Sequence, residues 1–327
     1  MGDEKVLAGV LDYAVAEFPA EKYSLFLWNH GGANIGVCSS EAYTAEDRTA
    51  VEHDILTPAK LESALVSSSL CRNEGKKYSL IGVDACLMGG VEIAYLFSPY
   101  CNYMIGSSEL TRQDFNYGTY LSAVSKKTHT DAELADALVP QEDSSYQDGT
   151  STRACYDLTK IQALVDKVNT ASDRLNELSG DLGYILYDVV KNAKIHSMNY
   201  GEDGSRTEAS SDGFEYVDIR SFFDNLSTQL GYWISAGQED IAEGKDAPIF
   251  SAETLDKLIR ARAAVDAVKK EQDYLQSYDV NYAGVNGGTS GSASEDYTQN
   301  LLSNVWGTDI RATSVYLLFF EYRAYQS

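Results

Sequence analysis

Three short apolar segments, separated by stretches of helical character, constrain the fold of this chain more than any other feature. They are YSLFLW (23–28), YSLIGV (78–83) and YMIGSS (103–108). Each is bounded by polar residues and has the length of a strand covered on both faces. Between them, Thr57-Pro58 predicts one helix start, and the run after residue 87 predicts a second helix that ends near Pro99. This alternation predicts an α/β fold with a mostly parallel sheet.

The rest of the chain divides into one loop-rich and one helical part. An amphipathic helix over 6–18 precedes the first strand, and the polar segment 32–56 is predicted to be a long loop. We expect an α/β domain over 1–150 and a largely helical region over 151–327. The helical patterns of that region cover 157–178, 181–191, 214–230 and 252–275, and a late strand is predicted at about 314–322.

The charge of the chain restricts its partners. With 26 Lys and Arg against 49 Asp and Glu, the net charge is −23. Such a surface repels nucleic acid and favours cationic partners such as basic peptides, polyamines or calcium. No apolar run reaches the roughly 18 residues of a membrane span. The first residues also lack the pattern of a secretory signal, because Asp3, Glu4 and Lys5 stand where its apolar core would begin.

Two side chains with nucleophile and base chemistry directly follow the first two predicted strands. His30 lies in WNHGG (28–32), and Cys86 lies in DACLMG (84–89). Because the carboxyl ends of neighbouring parallel strands meet at one edge of a sheet, we expect these side chains to form a nucleophile–base pair. The helix predicted to begin at about Leu87 would place its positive end beside the sulfur and stabilise the thiolate.

The glycines after His30 fit the same chemistry. Gly31 and Gly32 let the backbone approach a substrate closely, and the N–H groups of Gly31 and Cys86 are expected to form an oxyanion hole. A histidine or cysteine alone is more often structural, but the two together at strand ends favour a catalytic role. The remaining cysteines lack this setting and are interpreted as structural, and no pair of His or Cys has zinc-ligand spacing. The cysteines interpreted as structural are Cys38, Cys71, Cys101 and Cys155.

The two strand-end motifs resemble those of the clostripain family of cysteine peptidases, in the clan of caspases, gingipains and legumains. His30-Gly31 and Ala85-Cys86 match the clan signature, and the resemblance covers about residues 10–125. It implies a caspase-like three-layer α/β/α sandwich with a helical C-terminal region. It also implies a cysteine endopeptidase in which Cys86 is the nucleophile and His30 the general base. No cofactor is expected to be required, although calcium is a candidate stimulator.

The resemblance further implies cleavage after Arg, and less often Lys. A cationic side chain needs carboxylates in its pocket, and we expect Asp84, Thr111 and Asp114 to line it. Arg48 is the only Lys or Arg between His30 and Lys60, and we expect the chain to cut itself after it. Relatives are mostly bacterial and exported, which predicts a secreted or cell-surface location.

One departure and two alternatives accompany this interpretation. Family members carry a strand and an Asp-Asn segment before the helix that begins this chain. We expect that this interior strand is supplied by another polypeptide, or that the chain is truncated. The alternative function is a catalytically weak or inactive relative that binds basic peptides. A glutaminase-type amidase is disfavoured, because those enzymes place Cys in a Gly-x-Cys-x-Gly elbow ahead of the His.

Overall fold

The computed structural model describes residues 2–43, 50–108, 111, 117–126, 129–136, 138, 153–180, 182–197, 199–200, 216–271, 275–278 and 314–316. Its strands are β1 (Ser24–Trp28), β2 (Val37–Tyr43), β3 (Ala50–Leu56), β4 (Tyr78–Asp84), β5 (Cys101–Ser107), β6 (Arg153–Asp157), β7 (Asn199–Tyr200), β8 (Tyr216–Asp218), β9 (Leu275–Tyr278) and β10 (Ser314–Tyr316). Its helices are α1 (Glu4–Glu17), α2 (Pro58–Ser67), α3 (Ser69–Glu74), α4 (Val91–Phe97), α5 (Tyr117–Val124), α6 (Asp131–Asp136), α7 (Ile161–Asn176), α8 (Gly183–Ile195), α9 (Ile219–Ala242) and α10 (Ala252–Lys270).

The chain divides into two compact units. The first contains all elements from α1 to β6, together with β9, and the second contains α7 from Gln162 on, α8 to α10 and strands β7, β8 and β10. The predicted boundary at residue 150 does not coincide with this division, because the first unit continues to Ile161 and takes in β9. No helix in the described part of the chain is long and apolar enough to cross a bilayer.

The main sheet of the first unit has the order β1-β4-β5-β6-β9. Strands β1, β4 and β5 are parallel, and the register runs from Ser24 opposite Leu80 to Trp28 opposite Asp84. Strands β6 and β9 join as antiparallel partners. The expected α/β class with its helical C-terminal region is confirmed. The two antiparallel strands were not predicted, since RACYD and LQSY are too short and too polar for a strand signal.

Helices cover both sides of this sheet, and its interior strand β4 is fully buried. All seven residues of β4 are buried. On one face, Leu80 and Ile105 pack in an apolar cluster with residues of α5, α6 and the neighbouring strands. The members of that cluster and the side chains packed against it are Tyr120, Leu134, Ala135, Leu138, Cys155, Phe26, Tyr103, Tyr117 and Ala123.

The helix starts follow from local chemistry. Thr57 is the N-cap of α2, its hydroxyl accepts a hydrogen bond from the Lys60 N–H, and Pro58 occupies the first turn as predicted. Asp3 caps α1 in the same way through the Lys5 N–H. In the second unit, Asp218 caps α9 and Ser251 caps α10. These side chains satisfy backbone donors that have no partner within the helix.

The prediction of a loop over 32–56 is wrong. A 3-10 turn (Ala33–Ile35) leads into an antiparallel hairpin of β2 and β3. Val37 pairs with Leu56 at the base of the hairpin, and both side chains are buried. The other positions of the hairpin are largely polar, so the segment carries too few apolar residues for a period-two signal.

The second unit is largely helical, as expected. Helices α7 to α10 fall on the predicted segments, and α9 extends to Ala242, beyond the predicted end at residue 230. Helix α9 packs against α8 and α10 through one apolar face. A three-stranded sheet has the order β10-β8-β7. Strand β10 occupies the start of the segment predicted as the late strand, and residues 317–322 lie outside the described residues.

Candidate active site

The parallel pairing of β1 and β4 brings the His30 and Cys86 segments together. Trp28 is opposite Asp84 at the last paired position, so His30 and Cys86 each lie two residues beyond it. A Cβ atom placed on Gly31 would lie 2.4 Å from the carbonyl oxygen of Cys86 and 2.9 Å from the Cβ of Ala85. Real Cβ contacts are never this short, so only glycine at position 31 allows the two backbones to touch.

The hairpin holds the His30 backbone in place. The Cys38 N–H donates to the His30 carbonyl oxygen at 2.9 Å, and the Gly32 N–H donates to the Gly36 carbonyl oxygen at 2.9 Å. Gly31 lies opposite Val37 between these two bonds. At such a non-hydrogen-bonded position of an antiparallel ladder, the N–H of Gly31 points away from the ladder. The imidazole of His30 is exposed.

The predicted helix start at Leu87 is wrong, because α4 begins only at Val91. Leu87 has a left-handed backbone with φ of 61°, and Met88 behind it is fully buried. The Gly89 N–H donates to the Ser107 carbonyl oxygen at 2.7 Å. The chain therefore crosses the carboxyl end of β5 before it turns into a helix, and the expected helix end beside the sulfur is absent from this part of the structure.

Two glycines make this crossing possible. A Cβ on Gly106 would lie 2.6 Å from the carbonyl oxygen of Met88. A Cβ on Gly89 would lie 2.7 Å from the Ser108 nitrogen and 2.8 Å from the Tyr156 hydroxyl. That hydroxyl donates to the Gly89 carbonyl oxygen at 3.0 Å. The backbone after Cys86 is thus fixed by contacts that any larger residue would block.

The sulfur of Cys86 is partly buried and lies against the backbone of Thr111. The Thr111 N–H donates to Sγ at 3.2 Å, and Sγ lies 3.8 Å from the Thr111 carbonyl oxygen. The structure thus brings the main chain of Thr111 to the sulfur, and its expected place in the substrate pocket stays a prediction.

Asp84 ends β4 and is buried, with 3% of its surface exposed. Its Oδ2 accepts a hydrogen bond from the Tyr117 hydroxyl at 3.0 Å. Tyr117 is a site residue that the sequence analysis missed. The available signal was its spacing of three residues from Tyr120, which puts both tyrosines on one face of a helix.

Two predicted residues, Asp114 and Arg48, lie outside the described residues. Among the described residues, no group of three or more His, Cys, Asp or Glu side chains is arranged to hold a metal ion. A role for calcium stays a prediction.

Three of the other cysteines are disfavoured as nucleophiles. Burial raises the pKa of the Cys38, Cys71 and Cys101 thiols, which disfavours the reactive thiolate. Cys38 nevertheless contributes to the site, because its N–H anchors His30 and its own backbone is left-handed with φ of 58°. The sequence indicated no such role.

The strand-end site therefore belongs to an α/β protein with a cysteine and a histidine on adjacent loops at the carboxyl edge of its sheet. The model of the clostripain family, Peptidase C11, matches residues 1–281. This chain belongs to that family, and the resemblance of its two motifs is confirmed.

Individual relatives are more distant. Clostripain of Hathewaya histolytica is 31% identical over 108 residues, which are 30% of this chain and 19% of clostripain. A secreted C11 cysteine protease from Bacteroides thetaiotaomicron, solved with an irreversible peptide inhibitor, is 17% identical over 71% of this chain and 60% of its own, with a TM-score of 0.46. An inactive zymogen C11 protease from Parabacteroides distasonis is 16% identical over 86% of this chain and 62% of its own, with a TM-score of 0.49. The chain thus matches less than two thirds of each relative's length.

Proposed function

We propose that this chain is a cysteine endopeptidase that cleaves peptide bonds after Arg or Lys. The observation that carries the proposal is the contact of Gly31 with the Cys86 carbonyl oxygen, because it places the His30 loop directly against the nucleophile loop. Membership of the clostripain family supports the same chemistry.

In the proposed reaction, His30 and Cys86 act as a dyad. His30 takes the proton of the Cys86 thiol, the resulting thiolate attacks the carbonyl carbon of the substrate, and the carbonyl oxygen becomes an oxyanion. The C–N bond then breaks, the amine leaves with a proton from His30, and a thioester acyl-enzyme remains. Water, deprotonated by His30, attacks the thioester and releases the acid and the thiol. The Thr111 N–H donates to the attacking sulfur at 3.2 Å.

The oxyanion hole is assigned to the N–H groups of Gly31 and Cys86. Gly31 supports this assignment, since the hairpin ladder uses the N–H groups of Gly32 and Cys38 and leaves that of Gly31 outside. Two backbone donors in a fixed loop stabilise the tetrahedral intermediate without reorganisation.

Specificity for a basic side chain is assigned to Asp84, together with Thr111 and Asp114. Asp84 lies two residues before the nucleophile and is buried, and a buried carboxylate attracts a cation far more strongly than an exposed one. Arg is expected to exceed Lys, because guanidinium binds carboxylate through two parallel hydrogen bonds. The net charge of −23 favours basic substrates further.

We also propose self-cleavage after Arg48 and export from a bacterial cell. Arg48 lies in the chain between β2 and β3, and the pairing of these strands would hold the two fragments together after a cut. Intact-mass analysis of the wild type and of Cys86→Ala tests this. The expected result is a nick after Arg48 in the wild type alone, and an uncut, fully active wild-type chain contradicts it.

A fluorogenic peptide panel that varies only the residue before the cleaved bond tests the main proposal. Cys86→Ala is expected to abolish hydrolysis, and His30→Ala to lower the rate at least about 10²-fold. Cys71→Ala is the matched control, because Cys71 is also partly exposed but its thiol pKa is raised by burial. Loss of activity in Cys71→Ala, or a preference for acidic residues, contradicts the assignment. Activity that survives EDTA shows that no metal is needed.

The alternative is a catalytically weak relative that captures basic peptides. It is favoured by the backbone of Thr111, whose nitrogen and carbonyl oxygen lie 3.2 Å and 3.8 Å from the Cys86 sulfur. Rapid labelling of Cys86 by iodoacetamide together with turnover supports the peptidase. Peptide binding without turnover, and ordinary thiol reactivity, supports the binding protein.

A further inference from the structure

The hydroxyl group of Tyr117 is aimed at the carboxylate of Asp84. Tyr117 is the first residue of α5, and its hydroxyl lies 3.0 Å from Asp84 Oδ2. Its ring packs edge-on against Phe26 of β1, with 5.5 Å between ring centroids and 83° between ring planes. The packing of the ring therefore fixes the position of the Tyr117 hydroxyl.

We infer that Tyr117 is a positioning residue for the recognition of a basic side chain, which rests on the proposed function of Asp84. A buried carboxylate has few orientations available once a fixed donor holds one oxygen. Because a phenol is neutral, Tyr117 orients Asp84 without cancelling the negative charge that attracts the substrate. An Arg or Lys in its place would neutralise the pocket.

The same helix offers a matched control in Tyr120. Its ring also packs edge-on against Phe26, at 5.0 Å, and its hydroxyl donates to the Ser24 hydroxyl at 2.8 Å. Both tyrosines thus share a helix, an aromatic neighbour and one side-chain hydrogen bond. They differ in that only Tyr117 donates to Asp84. Removal of each hydroxyl separates the effect on the pocket from the effect on packing.

The experiment compares Tyr117→Phe with Tyr120→Phe on two peptides that differ only in Arg or citrulline before the cleaved bond. Citrulline has the shape of Arg without the charge. Tyr117→Phe is expected to lower kcat/KM for the Arg peptide at least about tenfold, mainly through KM, since a hydrogen bond to a charged group is lost. The citrulline peptide should change less than about twofold. The rate of Cys86 alkylation by iodoacetamide should stay at the wild-type value, because the reagent is neutral.

Three outcomes decide the inference. An Arg-to-citrulline ratio that falls in Tyr117→Phe but not in Tyr120→Phe supports it. Equal ratios in the two variants overturn it, whatever the total activity. A wild type that does not distinguish Arg from citrulline overturns the proposed specificity itself, which is a separate result.

A double-mutant cycle keeps the test valid if Tyr117→Phe is less stable than the wild type. In an Asp84→Asn background, the Tyr117 hydroxyl has no charged partner to orient. Tyr117→Phe is then expected to leave the Arg-to-citrulline ratio unchanged, and thermal unfolding shows whether each variant is folded. A ratio that falls equally in both backgrounds overturns the inference, because Tyr117 would then act independently of Asp84.

Discussion

The two ends of the parallel strands β1, β4 and β5 are built in different ways. At the amino ends, side chains make ordinary polar contacts: Lys22 Nζ lies 2.7 Å from Asp131 Oδ1, and Asn102 donates to Asp131 Oδ2 at 3.1 Å. The backbone there continues the ladder without strain, since the Ser79 N–H donates to the Tyr23 carbonyl oxygen at 2.8 Å. This end ties β1, β5 and α6 together and carries no candidate chemistry.

The carboxyl ends instead concentrate backbone strain. The three non-glycine residues with left-handed φ among the described residues are Ala33, Cys38 and Leu87. Ala33 lies in the turn after β1, Cys38 at the start of the hairpin strand β2 that follows this turn, and Leu87 in the loop after β4. Each such residue costs roughly 1–2 kcal/mol. Strain of this kind persists only where the surrounding contacts determine the conformation, which is typical of functional sites. The contacts at the amino ends stabilise the sheet. The strained backbone at the carboxyl ends lowers the stability of the fold and holds the His30 and Cys86 loops in a fixed conformation.

The largest effect should come from replacing Gly31. In Gly31→Ala the new Cβ would lie 2.4 Å from the Cys86 carbonyl oxygen, so the His30 and Cys86 loops must separate. Misplacement of this size costs about 10²-fold in kcat/KM.

Gly75→Ala, before the amino end of β4, is the control, because its φ is 58° but nothing lies within 4 Å of the new Cβ. We expect it to lose about 1 kcal/mol of stability and to keep full activity. Comparable activity of the two variants, measured on an Arg peptide, would break the distinction between the two ends.

A smaller effect, on the free energy of unfolding, should reveal the backbone strain at Ala33. Ala33→Gly relieves the left-handed conformation at φ of 52°, which offsets the loss of a buried methyl group of about 0.8 kcal/mol. Its free energy of unfolding should stay within about 0.5 kcal/mol of the wild type. Ala64→Gly, equally buried but inside α2, should lose about 2 kcal/mol because helix propensity and burial both favour Ala. Urea titration of both variants measures the difference, and equal losses would show that Ala33 is not strained.

The features that could be predicted from sequence are those with a strong local signal. The continuous apolar runs of β1, β4 and β5 predict buried strands, and their alternation with helices predicts a parallel order. That order places His30 and Cys86 at one edge, as the register of Trp28 with Asp84 confirms. The helical periods of α7 to α10 are equally local. The side chains that cap α9 and α10, Asp218 and Ser251, are of residue types typical of helix starts.

The features that could not be predicted depend on contacts between distant residues. Leu87 adopts its left-handed conformation where Met88 and Gly89 dock on Gly106 and Ser107, and none of these contacts has a sequence period. The LMGG run was interpreted as a helix start because it is apolar, although its glycines disfavour helix. Tyr117 and Asp84 are 33 residues apart, so their hydrogen bond depends on how α5 packs over β1.

The smallest effect should come from the amino ends and should depend on pH. Partial burial alone would raise the pKa of Asp131, but hydrogen bonds from Lys22, Asn102 and Ser79 outweigh it and lower the pKa below its ordinary value of about 3.9. A carboxyl group whose pKa is lowered in the folded state stabilises the fold at pH values above its unfolded-state pKa. That stability is lost as the pH falls through the folded-state pKa.

Asp131→Asn should therefore reduce the free energy of unfolding at pH 6 by about 1 kcal/mol or less, and by less still near pH 3. In a Lys22→Gln background the same substitution should cost less at pH 6, because the ion pair is already gone. Activity on the Arg peptide should not change, since Asp131 lies at the end of the sheet opposite Cys86. A loss of activity without a loss of stability would mean that the two ends are coupled, and the separation of stability from chemistry would then have to be abandoned.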